Sequence, residues 1–439
     1  MGGAVFGSVR DNSAVFYNPA CLSRIDTGSV SINANLYQVE KILVENALGG
    51  QVDFKNNSFQ NLPLLFSGLI PTSNPSLKIG YGFASSVNFN FKGIVRLDDD
   101  YPVVDDTESP GDEAYISQLS LTSKIDETVF GFGIGKKLND KWSIGASLLF
   151  TWRYQSYERN LLTRMFLNNT ANTLVSANNM ANFSYNNLRS QLKLGVHYNA
   201  EKFDIGFAVN SPSLKIIGSG VVAADITANN ILFEGQRRDI LANDRQAKLS
   251  TVYKSPWSVA GGINFYTKRG QLGFAAQYFS ALDIYDVLRA KPATFVRPPQ
   301  AYNSIGSDDF LRIKSGNVPV LNWAVGYEYI INDRFTLDAS FRTDNSFFDK
   351  RIKELTGIRP DITSWDIYHL ALGGSATAKR ISLSAGLLFG FGSNKNYLQE
   401  GNLEHPEEKN LFQGRTVVTR AVYNSIGLLL GFTINFNKK

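Results

Sequence analysis

The side chains that could perform acid–base, nucleophilic or metal chemistry are few in this sequence and lie far apart. Its three histidines, His197, His369 and His405, have no metal-ligand spacing. Its one cysteine, Cys21, excludes an intramolecular disulfide and a multi-thiolate metal site, and we expect a buried structural thiol there. The sequence contains no GxSxG nucleophile motif. We therefore predict a protein that is not an enzyme and that has no catalytic residues, metal site or cofactor.

Phosphate and nucleic-acid binding are also disfavoured by the residues present. The stretch GFGIGKK at 131–137 is rich in glycine but lacks the spacing of a phosphate-binding loop. It lies in a predicted strand, so we expect its glycines to face inward. The formal net charge of +5 is small for 439 residues, and the basic residues are scattered, which argues against a nucleic-acid partner.

The elements that must position any binding site have a period of two residues. Apolar side chains alternate with small or polar ones in several segments, which include 203–210, 335–342, 380–391 and 425–436. Successive side chains of a β-strand point to opposite faces, so this period indicates strands. No run approaches the ~18 apolar residues that a membrane-spanning helix needs.

Two features favour a transmembrane β-barrel over a soluble sandwich. The alternating segments often exceed ten residues, whereas strands typically have about 5–6. The connections also alternate between short and long, as they do in outer-membrane barrels. The short ones are 71–75, 136–141, 198–202, 266–271, 331–334 and 377–380; the long ones are about 41–61, 95–113, 160–184, 220–246, 287–318, 344–365 and 393–422.

The resulting prediction is an all-β fold, a transmembrane antiparallel barrel of about 14 strands over residues 28–439. An even number of strands places both barrel ends on the short-turn side. Aromatic residues near strand ends suit the membrane interfaces: Trp142, Trp152, Tyr154, Trp257, Tyr266, Tyr278, Trp323, Tyr329, Trp365 and Tyr368. The predicted strands are 28–40, 62–70, 76–94, 113–136, 141–159, 184–198, 202–219, 247–266, 271–286, 319–331, 334–343, 366–377, 380–392 and 423–437.

Residues 1–27 precede the first predicted strand. Within them, the stretch 11–20 is too short for a strand pair and too broken for a helix of useful length. A fourteen-stranded barrel is too wide to be filled by its own inward side chains. The glycines and the Asn18-Pro19 turn permit tight packing. We therefore expect residues 1–27 to form a small plug in the barrel.

The opening sequence MGGAVFGSVRDNSAVFYNPACLS resembles the N-terminal hatch of the FadL family of outer-membrane transporters of hydrophobic compounds. Asn18-Pro19-Ala20 matches the NPA element of that hatch. The segment 137–159, with its Glu158-Arg159 ending, looks like the family's fifth strand, and 191–219, 257–290, 323–346 and 366–392 look like later hairpins. The resemblance therefore extends over most of the chain.

This resemblance implies passive transport of long-chain fatty acids or similar hydrophobic molecules in the bacterial outer membrane. Capture would occur at the outer loops, followed by a lumen site, hatch gating and sideways release through the wall. The expected gate residues are Phe16, Asn18, Pro19 and Ala20. We expect contacts with outer-membrane lipid and lipopolysaccharide. No signal peptide is visible, so an exported chain would be numbered from its cleavage site.

The capture site is expected in apolar residues of the long connections. Helical spacing around 161–166 suggests a short amphipathic helix. Burying an acyl chain contributes roughly 0.8 kcal/mol per CH₂, so such a surface could hold a fatty acid. Packing of the loops onto the barrel rim explains the same residues. The predicted ligand-binding residues are Leu161, Leu162, Met165, Phe166, Leu167, Met180, Phe183 and Phe233.

A lumen site for an acid requires inward cations, and alternation places Arg159, Arg153, Arg189 and Lys193 inside. The resemblance favours Arg159, because a family arginine at the matching place lies near the ligand carboxylate. Pairing with Asp204, Asp338 or Glu158 is the structural alternative for these cations. A lateral gap would arise from a kink in 84–93, for which an ordinary bulge is equally compatible.

Three rival functions remain open at this point. Some relatives of the family are PorV-like, non-transporting adaptors of protein secretion, and their outer loops would bind protein partners. An enzyme is disfavoured by the missing catalytic set, and His197 should face the lumen, the wrong face for an outer-membrane lipase. An open diffusion pore would show large steady conductance. The identity of a ligand and membership of a larger assembly are not encoded in these patterns.

Overall fold

Long antiparallel strands dominate the computed structural model, which describes residues 2–25, 28–70, 72–233, 235–292, 306–355, 357–360 and 364–436. The strands are β1 (Ser29–Val44), β2 (Phe54–Ile70), β3 (Leu77–Tyr101), β4 (Glu113–Lys137), β5 (Trp142–Phe166), β6 (Leu174–Asn199), β7 (Phe203–Asn210), β8 (Leu214–Phe233), β9 (Gln236–Ser250), β10 (Ser258–Thr267), β11 (Gly270–Phe279), β12 (Leu282–Leu288), β13 (Ile313–Asn317), β14 (Val320–Ile330), β15 (Phe335–Asp344), β16 (Asp366–Ala378), β17 (Ile381–Leu398) and β18 (Val418–Asn435).

Helical segments are short. In the described part of the chain, four are 3₁₀ helices, Asn12–Val15, Pro19–Arg24, Lys350–Glu354 and Glu408–Asn410, and one is a single α-turn, Ser307–Phe310. Among the described residues, no helix has the length and apolar character needed to cross a bilayer.

The strands form a closed antiparallel barrel with fourteen positions around its wall. Closure comes from the pairing of β1 with β18, which runs from Ser29–Asn435 to Val44–Ala421. Two of these positions are each occupied by two strands in succession. β7 and β8 both pair with β6 and follow each other at one position, and β9 and β10 follow each other at the next. The predicted fold and the positions of all fourteen predicted strands are confirmed.

Three predicted strands are nevertheless divided. The strand expected at 202–219 breaks at 211–213 and the one at 247–266 breaks at 251–257, where Pro212 and Pro256 cannot donate a ladder hydrogen bond. The strand expected at 271–286 ends at Phe279. Its continuation, β12, leaves the wall and pairs with β13 in a separate two-stranded sheet.

The long outer loops predicted at 160–184 and 220–246 are wrong, because strands occupy most of both segments. β5 pairs with β6 without interruption from Trp142–Tyr198 to Phe166–Leu174, which leaves only a tight connection at 167–173. The short helix expected near 161–166 is therefore wrong as well. Apolar residues four apart satisfy a strand period of two as well as a helical period, and the ladder with the neighbouring strands decided between them.

The outside of the barrel carries a continuous apolar surface, as a transmembrane barrel requires. Outward residues such as Phe132 on β4, Leu194 on β6 and Leu383 on β17 are half exposed. Most predicted interface aromatics also face outward, but Tyr266 and Trp365 do not. Tyr266 bonds to the N-terminal segment, and Trp365 is buried against Tyr423 at a ring separation of 6.3 Å.

Candidate functional site

A cavity of about 1260 Å³ occupies the lumen. Its floor is formed by Phe16 and Tyr17 of the N-terminal segment. Higher up, Arg153 and Tyr253 line it, and Val87 on β3 lines it at one side. Most of its lining belongs to inward positions of the wall strands, so barrel closure creates this space and the N-terminal segment bounds it.

The N-terminal segment, residues 2–25, is hydrogen-bonded to the inner wall. The Asn12 amide donates to the backbone oxygen of Ser29 at 3.1 Å. The Asn18 amide donates to the oxygen of Val196 at 3.1 Å, while its side-chain oxygen caps the following 3₁₀ helix. The Lys193 ammonium donates to the backbone oxygen of Phe16. These contacts tie the segment to the inner wall at β1 and β6.

Glycines on the facing strands make room for this segment. A Cβ added at Gly135 would lie 2.6 Å from the Pro19 oxygen, and one at Gly145 or Gly206 would collide with N-terminal backbone atoms. Close approach of two backbones at these positions requires glycine. The inward orientation predicted for the glycines of 131–135 is confirmed. Among the described residues, the glycines of this kind are Gly80, Gly82, Gly131, Gly133, Gly135, Gly145, Gly195, Gly206 and Gly262.

The predicted gate residues divide into two groups. Phe16 borders the cavity, whereas Asn18, Pro19 and Ala20 are buried on the glycine-lined wall. Cys21 is buried beside them, and burial raises the pKa of its thiol to about 12. It therefore stays protonated, as a structural thiol does.

Two of the predicted cations meet in the lumen. Arg153 and Arg189 both bond to the Glu127 carboxylate, at 2.8 and 2.9 Å, and all three are buried. The Arg153 guanidinium also stacks over Tyr253 at 3.9 Å from the ring centre. The cluster has two positive charges and one negative charge, so a net positive charge remains beside the cavity.

Sequence reasoning missed Glu127, which is the partner of these arginines in place of Asp204, Asp338 or Glu158. The sequence did contain a signal for this contact. Glu127 is four residues from the inward Gly131 in the predicted strand 113–136, so its side chain should also face inward, and this strand is next to the one that contains Arg153. The register pairs Glu127 directly with Arg153. That pairing depends on an exact ladder between β4 and β5, which alternation alone does not specify.

The other two cations are elsewhere. Arg159 donates to the backbone oxygen of Glu400 at 2.9 Å, in the connection between β17 and β18. Lys193 donates to the backbone oxygen of Phe16 in the N-terminal segment. The four predicted carboxylate-binding residues therefore do not form one site.

The predicted capture residues are also separated, because they alternate along two strands. Leu161, Met165 and Leu167 are buried inside the outer end of the barrel, and Phe183 belongs to a second buried cluster deeper in the lumen. Phe166 is 56% exposed on the outer face. The remaining members lie outside the buried clusters: Leu162 and Met180 at outward positions and Phe233 at the end of β8.

Segments 45–53 and 399–417, together called the outer cover, pack over the buried cluster that contains Leu161, Met165 and Leu167. Leu48, Leu403 and Phe412 pack on the cluster with no more than 1% exposure. Tyr115 donates to the backbone oxygen of Phe412 at 2.7 Å. The apolar surface expected on exposed loops is thus the covered core of the outer barrel end.

Arg237, near the start of β9, is linked to two connections over this core. Its guanidinium pairs with Glu108 and, at 2.6 Å, with Glu408 of the outer cover. We expect Arg237→Ala to raise amide hydrogen exchange of residues 399–417 severalfold, because both ion pairs are lost. Arg238→Ala removes a partly exposed neighbour whose side chain bonds only to Gln236 in the described residues, and it should leave exchange unchanged. Equal exchange in the two variants would contradict this role.

Backbone pairing between β2 and β3 is incomplete. In the described residues the ladder begins at Ile70–Ile79 and ends at Leu65–Ala84, although both strands continue well beyond that level. A bulge against β4 follows at once, between Ser85 and Val87. The break falls in the segment 84–93 for which a kink or a bulge was expected.

The break borders the cavity. Both of its edges contribute to the cavity lining, through Leu65 on β2 and through Ser86 and Val87 on β3. Farther out, the Asn56 amide donates to the oxygen of Asn90 at 3.0 Å and closes the break from above. We call this bounded break the lateral gap.

No protein-family model and no curated protein sequence matches the chain. Among solved structures, it is similar to a Pseudomonas aeruginosa FadL homologue, with a TM-score of 0.61, 13% identity, and coverage of 99% of this chain and 96% of that chain. It is also similar to the Pseudomonas putida toluene transporter TodX (TM-score 0.55, 14% identity, coverage 99% and 97%). It is similar as well to the Ralstonia pickettii toluene transporter TbuX, with a TM-score of 0.51, 12% identity, and coverage of 99% of this chain and 97% of that chain.

These similarities show the fold. The barrel expected from the resemblance to the FadL family is the fold of this chain, and the similar structures are transporters and channels rather than enzymes.

Proposed function

We propose that this FadL-type barrel is an outer-membrane passive transporter of hydrophobic molecules. The observation that carries this proposal is a lumen cavity that reaches a break in the barrel wall. The lateral gap is bordered on both strands by residues of the cavity lining. An apolar molecule in the cavity could therefore enter the bilayer without crossing the polar periplasmic end.

The proposed route begins at the outer cover and ends at the lateral gap. Leu161, Met165 and the covering Phe412 would form the first apolar site once the cover opens. The ligand would then occupy the lumen cavity. Residues 1–27 would act as the hatch, with Phe16 as the gate residue that borders the cavity and Asn18, Pro19 and Ala20 as its anchor.

The ligands we propose are long-chain fatty acids or similar apolar molecules. Arg153 and Arg189 are the better candidates for a carboxylate because they retain a net positive charge beside the cavity. Arg159 would meet a carboxylate only near the outer cover, where it now bonds to Glu400.

Blocking the lateral gap tests this function. Val87 is partly exposed on the gap edge, so Val87→Trp should fill the opening. We expect a loss of most of the protein-dependent entry of a fluorescent fatty alcohol into lipopolysaccharide-containing proteoliposomes, while binding of the probe persists. Val209→Trp, at an equally exposed outward position with complete pairing, is the control.

The transporter proposal fails if wild-type protein neither binds the probe nor speeds its entry. That result would favour the PorV-like secretion adaptor, and affinity purification of partners from the native membrane would follow. Unchanged entry in Val87→Trp, with normal wild-type activity, would place release elsewhere in the barrel.

A further inference from the structure

A buried carboxylate without a cation lies beside the lateral gap. Glu40 on β1 is 4% exposed and belongs to the cavity lining. Its oxygens accept hydrogen bonds from Gln38 at 2.5 Å and from the Tyr423 hydroxyl at 3.1 Å. Ser58 and Gln60 donate to it at 3.4 and 3.3 Å.

The surroundings of Glu40 differ from those of Glu127, which is also a buried carboxylate of the cavity lining. Glu127 is paired with two arginines. In the described part of the chain no lysine or arginine forms an ion pair with Glu40, and its four neighbours are neutral donors. Donors of this kind favour the ionised carboxylate, whereas burial opposes it. The cavity lining thus has a pair of arginines around Glu127 and, apart from them, the carboxyl group of Glu40 among neutral donors.

Glu40 is within one strand of the opening. Two of its donors, Ser58 and Gln60, belong to the part of β2 that has lost its ladder with β3. Neighbouring strands are about 4.8 Å apart. A molecule that passes through the gap therefore comes close to the carboxylate.

We infer that Glu40 is a specificity-determining residue that excludes anions from the lateral gap. A negative charge close to a carboxylate is repelled, and the repulsion is strong where protein and lipid replace water. Neutral apolar molecules pass, and those with a hydroxyl group gain an acceptor. The released ligands are then neutral molecules, such as alcohols or phenols, and an acid leaves only in its protonated form. This inference rests on the proposed lateral release.

A matched pair of probes tests the inference. A fluorescent long-chain alcohol and the sulfonate of the same chain differ in charge but not in apolar length. In lipopolysaccharide-containing proteoliposomes, wild-type protein should speed entry of the alcohol much more than entry of the sulfonate. Glu40→Gln should raise protein-dependent sulfonate entry about tenfold, which corresponds to a modest Coulomb term, and should leave alcohol entry unchanged.

Two further variants control for folding and for general charge effects. Glu40→Asp keeps the charge and should keep the discrimination. Glu158→Gln removes an exposed carboxylate on the outer face of β5 and should have no effect. Equal sulfonate entry in wild type and Glu40→Gln, with normal alcohol entry, would overturn the exclusion of anions by Glu40 and leave the proposed transport intact. Absence of protein-dependent alcohol entry in wild type would overturn both the proposed transport and the exclusion of anions by Glu40.

Discussion

Gly206→Ala is expected to turn the barrel into a conducting pore in planar lipid bilayers. The added Cβ would collide with the backbone oxygen of Phe6 and lie 2.8 Å from the Asn18 amide. Both atoms belong to the N-terminal segment, which cannot keep its position without a backbone shift. Overpacking of this kind costs about 1–3 kcal/mol, which lowers the ratio of seated to displaced segments by about 5- to 150-fold.

The neighbouring strand supplies a matched control. Gly261 on β10 faces outward, and a Cβ there meets its nearest atom only at 3.8 Å. Gly261→Ala should therefore show the low conductance expected of wild type, while both variants retain the heat-dependent gel mobility of a folded barrel. If Gly206→Ala conducts no better than Gly261→Ala, the N-terminal segment does not obstruct the lumen.

Glu127→Gln is expected to lower the free energy of unfolding by about 3–5 kcal/mol, the usual consequence of removing one partner from a buried ion pair. Two buried arginines, Arg153 and Arg189, would lose their shared counter-charge. Arg189 already has one guanidinium nitrogen without a hydrogen-bond partner within the described residues. Urea titration in lipid vesicles, followed by tryptophan fluorescence, measures the change.

The control for this variant is Glu158→Gln, which removes an exposed carboxylate from the outer face of the adjacent strand. Exposed charges contribute little to stability, so its unfolding midpoint should stay near that of wild type. A restoring test is Glu127→Gln with Arg189→Met, which removes one charge of each sign and should recover part of the loss. Similar midpoints for Glu127→Gln and Glu158→Gln would show that the cluster adds no stability.

Several predicted residues were correct in orientation and wrong in grouping. Met165 and Phe166 are adjacent in the sequence and were assigned to one capture surface, yet Met165 is 2% exposed inside and Phe166 is exposed outside. The sequence shows which residues alternate. It does not show where a strand ends, so a strand that continued beyond the membrane was interpreted as a loop with helical spacing.

The sequence by itself determined the strand period, the fourteen wall positions and the inward parity of the glycines and arginines. These are local properties, because the side-chain direction of a strand repeats every two residues whatever the partner strand is. Proline and glycine positions are equally local. They mark strand breaks at Pro212 and Pro256, even though the breaks were not anticipated.

Only the tertiary structure decided which inward side chains meet. The contacts of Arg153 and Arg189 with Glu127, and of Glu40 with Tyr423, join residues that are distant in sequence, and they exist because one exact register was chosen around a closed ring. The lateral gap is likewise an absence of pairing between the described residues of two neighbouring strands, β2 and β3. Register and closure follow from the packing of all strands together, so no single segment encodes them.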